Sequence, residues 1–122
     1  MPDSKTFAPI TYEQFEAVDI RVGQILEVSL IENPKHSTHR LIINFGPEIG
    51  QKISCARLVK YSLEELQGKY ILGVVNFPPR QIGKHMSETL TLGVPDGNGE
   101  CLLITPATQN LGEVVPLGGK LY

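Results

Sequence analysis

SLEELQGK, residues 62–69, is a short segment with both of its ends marked. Ser62 and Glu65 stand three apart in the pattern of a capping box, where the serine oxygen accepts from the backbone ahead and the glutamate reaches back. Gly68 stands where a helix can close in the left-handed conformation. The position of this helix in the chain matters more than its length, because extended segments lie on both sides of it.

Upstream, QKISCA at 51–56 reads as a strand, preceded by turn residues GPEIG at 46–50 and by LIINF at 41–45, whose Leu41, Ile43 and Phe45 share a face. A polar loop, ENPKHSTHR at 32–40, separates these from DIRVGQILEVSLI at 19–31. In that first strand Ile20, Val22, Leu26, Val28 and Leu30 are expected to point one way, with Arg21, Gly23, Glu27 and Ser29 opposite; Gly23 lets a closing sheet bend. Thr11 and Gln14 form another capping box ahead of TYEQFEAV, a helix too short to stand alone, with Tyr12, Phe15 and Val18 on one side. Downstream, YILGVVN at 70–76 is apolar on both faces and reads as a buried strand. ETLTLGV at 88–94 is the next, with Leu90, Leu92 and Val94 on one face, and PDGNGE at 95–100 turns it into CLLIT at 101–105 as a hairpin. The tail keeps Val114, Val115, Leu117 and Leu121, apolar enough to pack on the domain or on a second chain.

Three strands, a short helix and two more strands make the element order of an all-β OB-fold, a five-stranded Greek-key barrel, here with short helices and an extra C-terminal strand or tail. An SH3-like barrel shares the strand count, but the long first strand and the place of SLEELQGK favour the OB-fold. Residues 1–11 read as an N-terminal arm and 12–122 as one domain, tail included.

At 122 residues the chain fits a single core. Charged residues at 20% and hydrophobic ones at 41% are the values of a globular protein, not a disordered one. No apolar run reaches the length of a membrane span and the N-terminus lacks a signal-peptide core, so a cytoplasmic protein without membrane insertion is expected. Cys55 and Cys101 form neither a disulfide framework nor a zinc site and read as buried thiols. A net charge of −2 means that any nucleic-acid site must be local.

Local basic sites exist. OB barrels hold ligands across strands two and three, framed by the loops after strands one and four. The first of these loops carries Lys35, His36, His39 and Arg40; the second, NFPPRQIGKHMS at 76–87, carries Arg80, Lys84 and His85. Arg80 offers a fork of donors for phosphate or a plane for stacking. Asn76 presents a donor and an acceptor, and equally could bond its own backbone. Ser87 could bind a phosphate or a 2′-hydroxyl, or with Glu88 cap the fifth strand. Phe77 is a stacking platform or a core residue. Ser54, opposite in direction to Ile53, is expected to meet ligand or water. Pro78 and Pro79 stiffen the loop, so less entropy is lost when a ligand docks. His36 and His39 lack a third ligand nearby, and no nucleophile elbow, phosphate-binding glycine loop or paired carboxylates appear. The sequence therefore offers no catalytic residue, metal site or cofactor site.

DIRVGQILEV at 19–28, SLEELQGK at 62–69 and VVNFPPRQIGKHMSETLTLG at 74–93 together resemble the tRNA-binding OB domain shared by CsaA-type proteins and by domains appended to aminoacyl-tRNA synthetases. The resemblance runs from about Phe15 to Pro106 and looks closest to the CsaA branch. It implies a homodimeric, non-enzymatic protein that binds tRNA, with Asn76, Arg80, Lys84, Ser87, Lys35, Arg40 and Ser54 as the RNA-binding set. As the alternative it implies an export-related chaperone holding unfolded or preprotein peptides on the same surface. Two departures stand out: the usual HP-x-AD-KL segment reads NPKHSTHRL here, and Leu90 replaces the family's methionine after SE-x. On the chain itself, the N-terminal helix and Val114, Val115 and Leu117 are the expected dimer contacts.

Overall fold

The computed structural model describes residues 6–107 and 115–122. After the short helix α1 (Tyr12–Glu16) come β1 (Ile20–Leu30), β2 (His39–Asn44), a one-turn helix α2 (Gly46–Ile49) and β3 (Gln51–Ala56). Helix α3 (Leu63–Leu66) leads into β4 (Tyr70–Val74), followed by β5 (Arg80–Ile82), β6 (His85–Ser87), β7 (Leu90–Thr91), β8 (Gly93–Pro95) and β9 (Cys101–Leu103). The main sheet is antiparallel in the order β3-β2-β1-β4-β7, with α3 between the third and fourth strands; β5 pairs with β6 and β8 with β9. This is the OB barrel.

Both capping boxes form, Thr11 with Gln14 and Ser62 with Glu65. The core is Ile25, Leu41, Ile43, Phe45, Leu58, Leu66 and Ile71. Phe45 explains two glycines of the barrel wall. A Cβ on Gly23 would come within 2.6 Å of Ile43 and 2.8 Å of the Phe45 ring, and one on Gly73 within 2.9 Å of the same ring. The large ring thus fills the barrel because the strands beside it carry no side chain there.

β1 does not keep one face along its length. Its pairing with β2 shifts between Ile25 and Glu27, a bulge that leaves Ile25 in the core and Leu30 exposed, so the expected single face from Ile20 to Leu30 is broken. The expected face of the fifth strand is inverted as well. Leu90 and Val94 are 49% and 51% exposed, while Thr89 and Thr91 are buried. Two hydrogen bonds make this possible: Thr89 Oγ1 donates to Val74 O at 2.6 Å, and Thr91 Oγ1 shares a hydrogen with Ser54 Oγ at 2.7 Å.

The barrel closes between β3 and the stretch before β7 through side chains as much as backbone. Glu88 N donates to Ile53 O at 2.7 Å, Glu88 Oε1 accepts from Ile53 N at 2.9 Å, and Ser87 Oγ accepts from Cys55 N at 3.0 Å. The C-terminal segment extends the sheet where β2 has ended: Gly118 N bonds Val22 O, Val22 N bonds Gly119 O, and Leu121 N bonds Ile20 O. Arg21 clamps it through Gly118 O at 2.9 Å. Leu117 and Val115 are half-buried; Val114 lies outside the described residues.

Candidate nucleic-acid interface

The stiffened loop after β4 is folded more tightly than its sequence suggests. Past Pro78 and Pro79 it forms the hairpin β5–β6, with Arg80 opposite Ser87 and Ile82 opposite His85 around a two-residue turn at Gly83 and Lys84. Gly83 has φ 60°, a value glycine adopts freely, and Lys84 sits at the exposed tip. Side chains alternate across a hairpin. Ser87 is tied to β3, so Arg80, Ile82 and His85 face the barrel while Gln81 and Met86 face away.

Between the hairpin and the barrel lies a groove of about 740 Å³, lined among others by Cys55, Phe77, Pro79, Arg80, Glu88 and Leu90. Ser37, at the end of the first basic loop, also lines it. The two expected loops therefore frame one groove. Phe77 is 52% exposed at its lip and does not join the core.

The candidate residues separate sharply. Ser54 is 1% exposed and bonded to Thr91, so the expectation that it meets ligand or water does not hold: it points into the barrel because β3 alternates with Ile53 outward. Asn76 is exposed, but both ends of its amide are engaged. Its Nδ2 donates to Ala17 O at 2.8 Å and its Oδ1 accepts from Asp19 N at 3.0 Å, which anchors α1 to the end of β4. The backbone role weighed for Asn76 is thus the one it performs here. Ser87 lines the groove, yet its hydroxyl holds the seam.

The cations behave differently. The chain has four arginines. Arg21 is paired with Asp19 at 2.6 Å and Glu48 at 2.9 Å, which raises its pKa, and Arg57 is paired with Glu100 at 2.9 Å with the same effect. Arg40 and Arg80 have no ion pair among the described residues. Arg80 is exposed on the groove face of β5, and Arg40 lies on β2 beside Cys55. Lys35 and Lys84 are exposed outside the groove lining.

Residues 20–113 match a family described as "Putative tRNA binding domain". The chain belongs to this family. The domain is also similar to methionine--tRNA ligase of Porphyromonas gingivalis, 33% identical over 101 residues, and of Clostridium perfringens, 32% identical over 107. These matches take in 82% and 87% of the chain but only 14% and 16% of the ligases. Two solved structures are similar over nearly their whole length. The CsaA chaperone protein from Picrophilus torridus is 41% identical with a TM-score of 0.82, covering 93% of this chain and 100% of that one. Chaperone CsaA from Bacillus anthracis str. Ames is 35% identical with a TM-score of 0.80, covering 94% and 100%.

In this tRNA-binding domain the thiols are poor nucleophiles. Burial pushes the Cys55 thiol up, with Arg40 partly opposing it, and burial raises Cys101 also, so both stay protonated at neutral pH. Among the described residues no three His, Cys, Asp or Glu side chains gather as a metal site, and no helix is long and apolar enough to cross a membrane. His36 and His39 do not converge either: His36 is exposed in its loop, while His39 is buried at the start of β2. What sequence reasoning missed is Glu88 as a groove residue. Its spacing from the hairpin turn was the available signal, once 80–87 is read as paired strands.

Proposed function

We propose that this chain binds tRNA without catalysing a reaction, as a cytoplasmic homodimer that grips the folded RNA with hairpin β5–β6 and loop 31–38 of each subunit. Arg80 carries the reading. It is an exposed guanidinium on the groove face with no acidic partner among the described residues, whereas Arg21 and Arg57 are neutralised by carboxylates. A free, forked cation on a stiffened support suits a phosphate or a base face. Lys84 at the hairpin tip, Lys35 and Arg40 extend the positive surface, and family membership supplies the RNA class.

Dimerisation would set two modest sites on one RNA, so that avidity takes the place of a large single interface. Phe7, Ile10 and Tyr12 are exposed near α1, and Leu121 and Tyr122 are exposed where the tail meets β1; this apolar surface suits a second copy of the chain. Sedimentation at micromolar concentration is expected to show a dimer, and a monomer removes this part.

Titration of the purified protein with bulk tRNA at two salt concentrations tests the grip. Affinity should fall as salt rises, with a log–log slope of about 0.7–0.9 per phosphate neutralised. Arg80→Ala should weaken binding by about tenfold or more, the worth of a hydrogen bond to a charged group, without changing the melting temperature. Equal affinity in mutant and wild type takes Arg80 out of the site. A second reading, an export-related chaperone for unfolded or preprotein peptides, is favoured by the apolar side of the groove at Phe77, Pro78, Ile82 and Leu90 and by the similarity to the two CsaA chaperones. Its binding would track peptide hydrophobicity and hardly respond to salt.

A further inference from the structure

We infer that the groove takes an unpaired base of the bound RNA, stacked on Phe77, with the adjoining phosphate on Arg80. This rests on the RNA-binding reading above and goes further by naming what enters the groove. Phe77 leaves half its surface in water, and among the described residues its ring pairs with no other aromatic. The next two residues are prolines, so the ring and Arg80 are held on one short, stiff span. Since Arg80 faces the barrel, the ring and the guanidinium border the same space.

Size and edge chemistry narrow the occupant. About 740 Å³ falls in the range of small-molecule sites, room for a base with its ribose and not for a duplex. Glu88 lies in the lining; its Oε1 accepts from Ile53 N, and no hydrogen bond to its Oε2 forms among the described residues. That free oxygen is an acceptor for an N–H on a base edge. An extended peptide fits the groove less well. It would need the open edge of β3 to pair with, and Ile53 N, Ile53 O and Cys55 N are already bonded to Glu88 and Ser87. The other wall offers Arg57, already paired with Glu100, so among the described residues Arg80 is the arginine of this lining without an ion pair.

The test compares two RNAs with equal numbers of phosphates, a blunt duplex and a duplex with single-stranded overhangs carrying 2-aminopurine, whose fluorescence is quenched on stacking. The full chain should prefer the overhang and quench the probe. Phe77→Ala should abolish the quench and weaken overhang binding by about fivefold to a hundredfold, the range for loss of one base–aromatic stack, while leaving duplex affinity unchanged. Phe77→Trp should restore both. Arg80→Ala should weaken both RNAs. Phe77 is exposed, so its truncation opens no core cavity and the variant is expected to melt like wild type. Equal affinity for the two RNAs, or a quench that survives Phe77→Ala, overturns base insertion and leaves RNA binding standing. Binding of neither RNA at low salt overturns the RNA reading and this inference with it. Capture of an unfolded peptide that depends on Phe77, with no quench by overhang RNA, overturns it in favour of a peptide occupant.

Discussion

Along one side of the groove the polar side chains turn inward and bond to the protein; on the cationic side Arg80 and Arg40 make no ion pair among the described residues. The seam side consists of Ser54 with Thr91, Ser87 with Cys55 N, and Glu88 with Ile53 N. The cationic side, the rim, consists of Arg80 and Lys84 on the hairpin, Lys35 in the loop before β2 and Arg40 on β2. A single run of sequence, VVNFPPRQIGKHMSETLTLG, contributes to both sides: Ser87, Glu88 and Thr91 to one, Arg80 and Lys84 to the other. The serine and the glutamate of this stretch are thus engaged by the protein's own backbone. Here they hold closed a barrel whose fifth strand, β7, pairs with β4 at only Thr91 and Leu90. The stiffness of the rim depends on that closure, since Ser87 fixes the far strand of the hairpin that carries Arg80.

Variants on the two sides should fail in different ways. Glu88→Ala is expected to have the largest effect on folding, a loss of about 1.5–3 kcal/mol in chemical denaturation, because Ile53 N is left without its charged acceptor. Glu88→Gln keeps an oxygen there and should recover most of the loss. Stability unchanged in Glu88→Ala would erase the distinction between seam and rim.

A smaller and more diagnostic effect belongs to the inward pair. Ser54→Ala leaves the buried Thr91 hydroxyl without its partner and should cost about 1–3 kcal/mol. Adding Thr91→Val removes the stranded group, so the double variant should lose clearly less than the sum of the single ones. Strict additivity would mean that the two hydroxyls do not act as a pair, and Ser54 would return to consideration as a surface residue.

The same division explains what could be read from the sequence. The capping boxes at Thr11 and Ser62 rest on local chemistry and formed as expected, as did the hairpin turned by PDGNGE. The order of elements along the chain followed from counting apolar runs around one short helix. Facing directions were harder, because alternation assumes that apolar side chains go inside. At Thr89 and Thr91 the inward side chains are polar and bonded, and at Leu26 a bulge breaks the alternation. Neither partner of such a bond is visible from its own segment: Ser54 and Thr91 are 37 positions apart. The β5–β6 hairpin was missed because its strands are three residues long and preceded by two prolines. The clustering of Lys35, Arg40, Arg80 and Lys84 in two stretches was legible from the sequence alone, because charge is read residue by residue.

His39 and Arg40 bring the two behaviours down to adjacent residues. His39 is 4% exposed inside the barrel, its Nδ1 lying 2.6 Å from Thr38 Oγ1, while Arg40 points outward opposite Cys55. Thr38 Oγ1 accepts from Leu58 N at 3.0 Å and has both Ala56 O and the His39 ring nitrogen within hydrogen-bond reach, so one hydroxyl ties the buried imidazole to β3 and the segment after it. Burial lowers the His39 pKa below the ordinary 6.5. As pH falls, the unfolded chain takes up this proton first. The stability contribution is whole above about pH 6.5 and is lost progressively below it, until the pH passes the lowered folded-state value. This is the smallest effect of the series, because the loss develops only below about pH 6.5. His39→Asn, which keeps an acceptor near the Nδ1 position, should flatten the acid limb of a denaturation-versus-pH curve relative to wild type, whatever its offset at neutral pH. Arg40→Ala should leave that limb in place and weaken RNA binding instead. If the two variants exchange these phenotypes, the inside and outside of β2 have been assigned the wrong way round; if each keeps its own, two neighbouring residues separate the folding of the barrel from the chemistry of its rim.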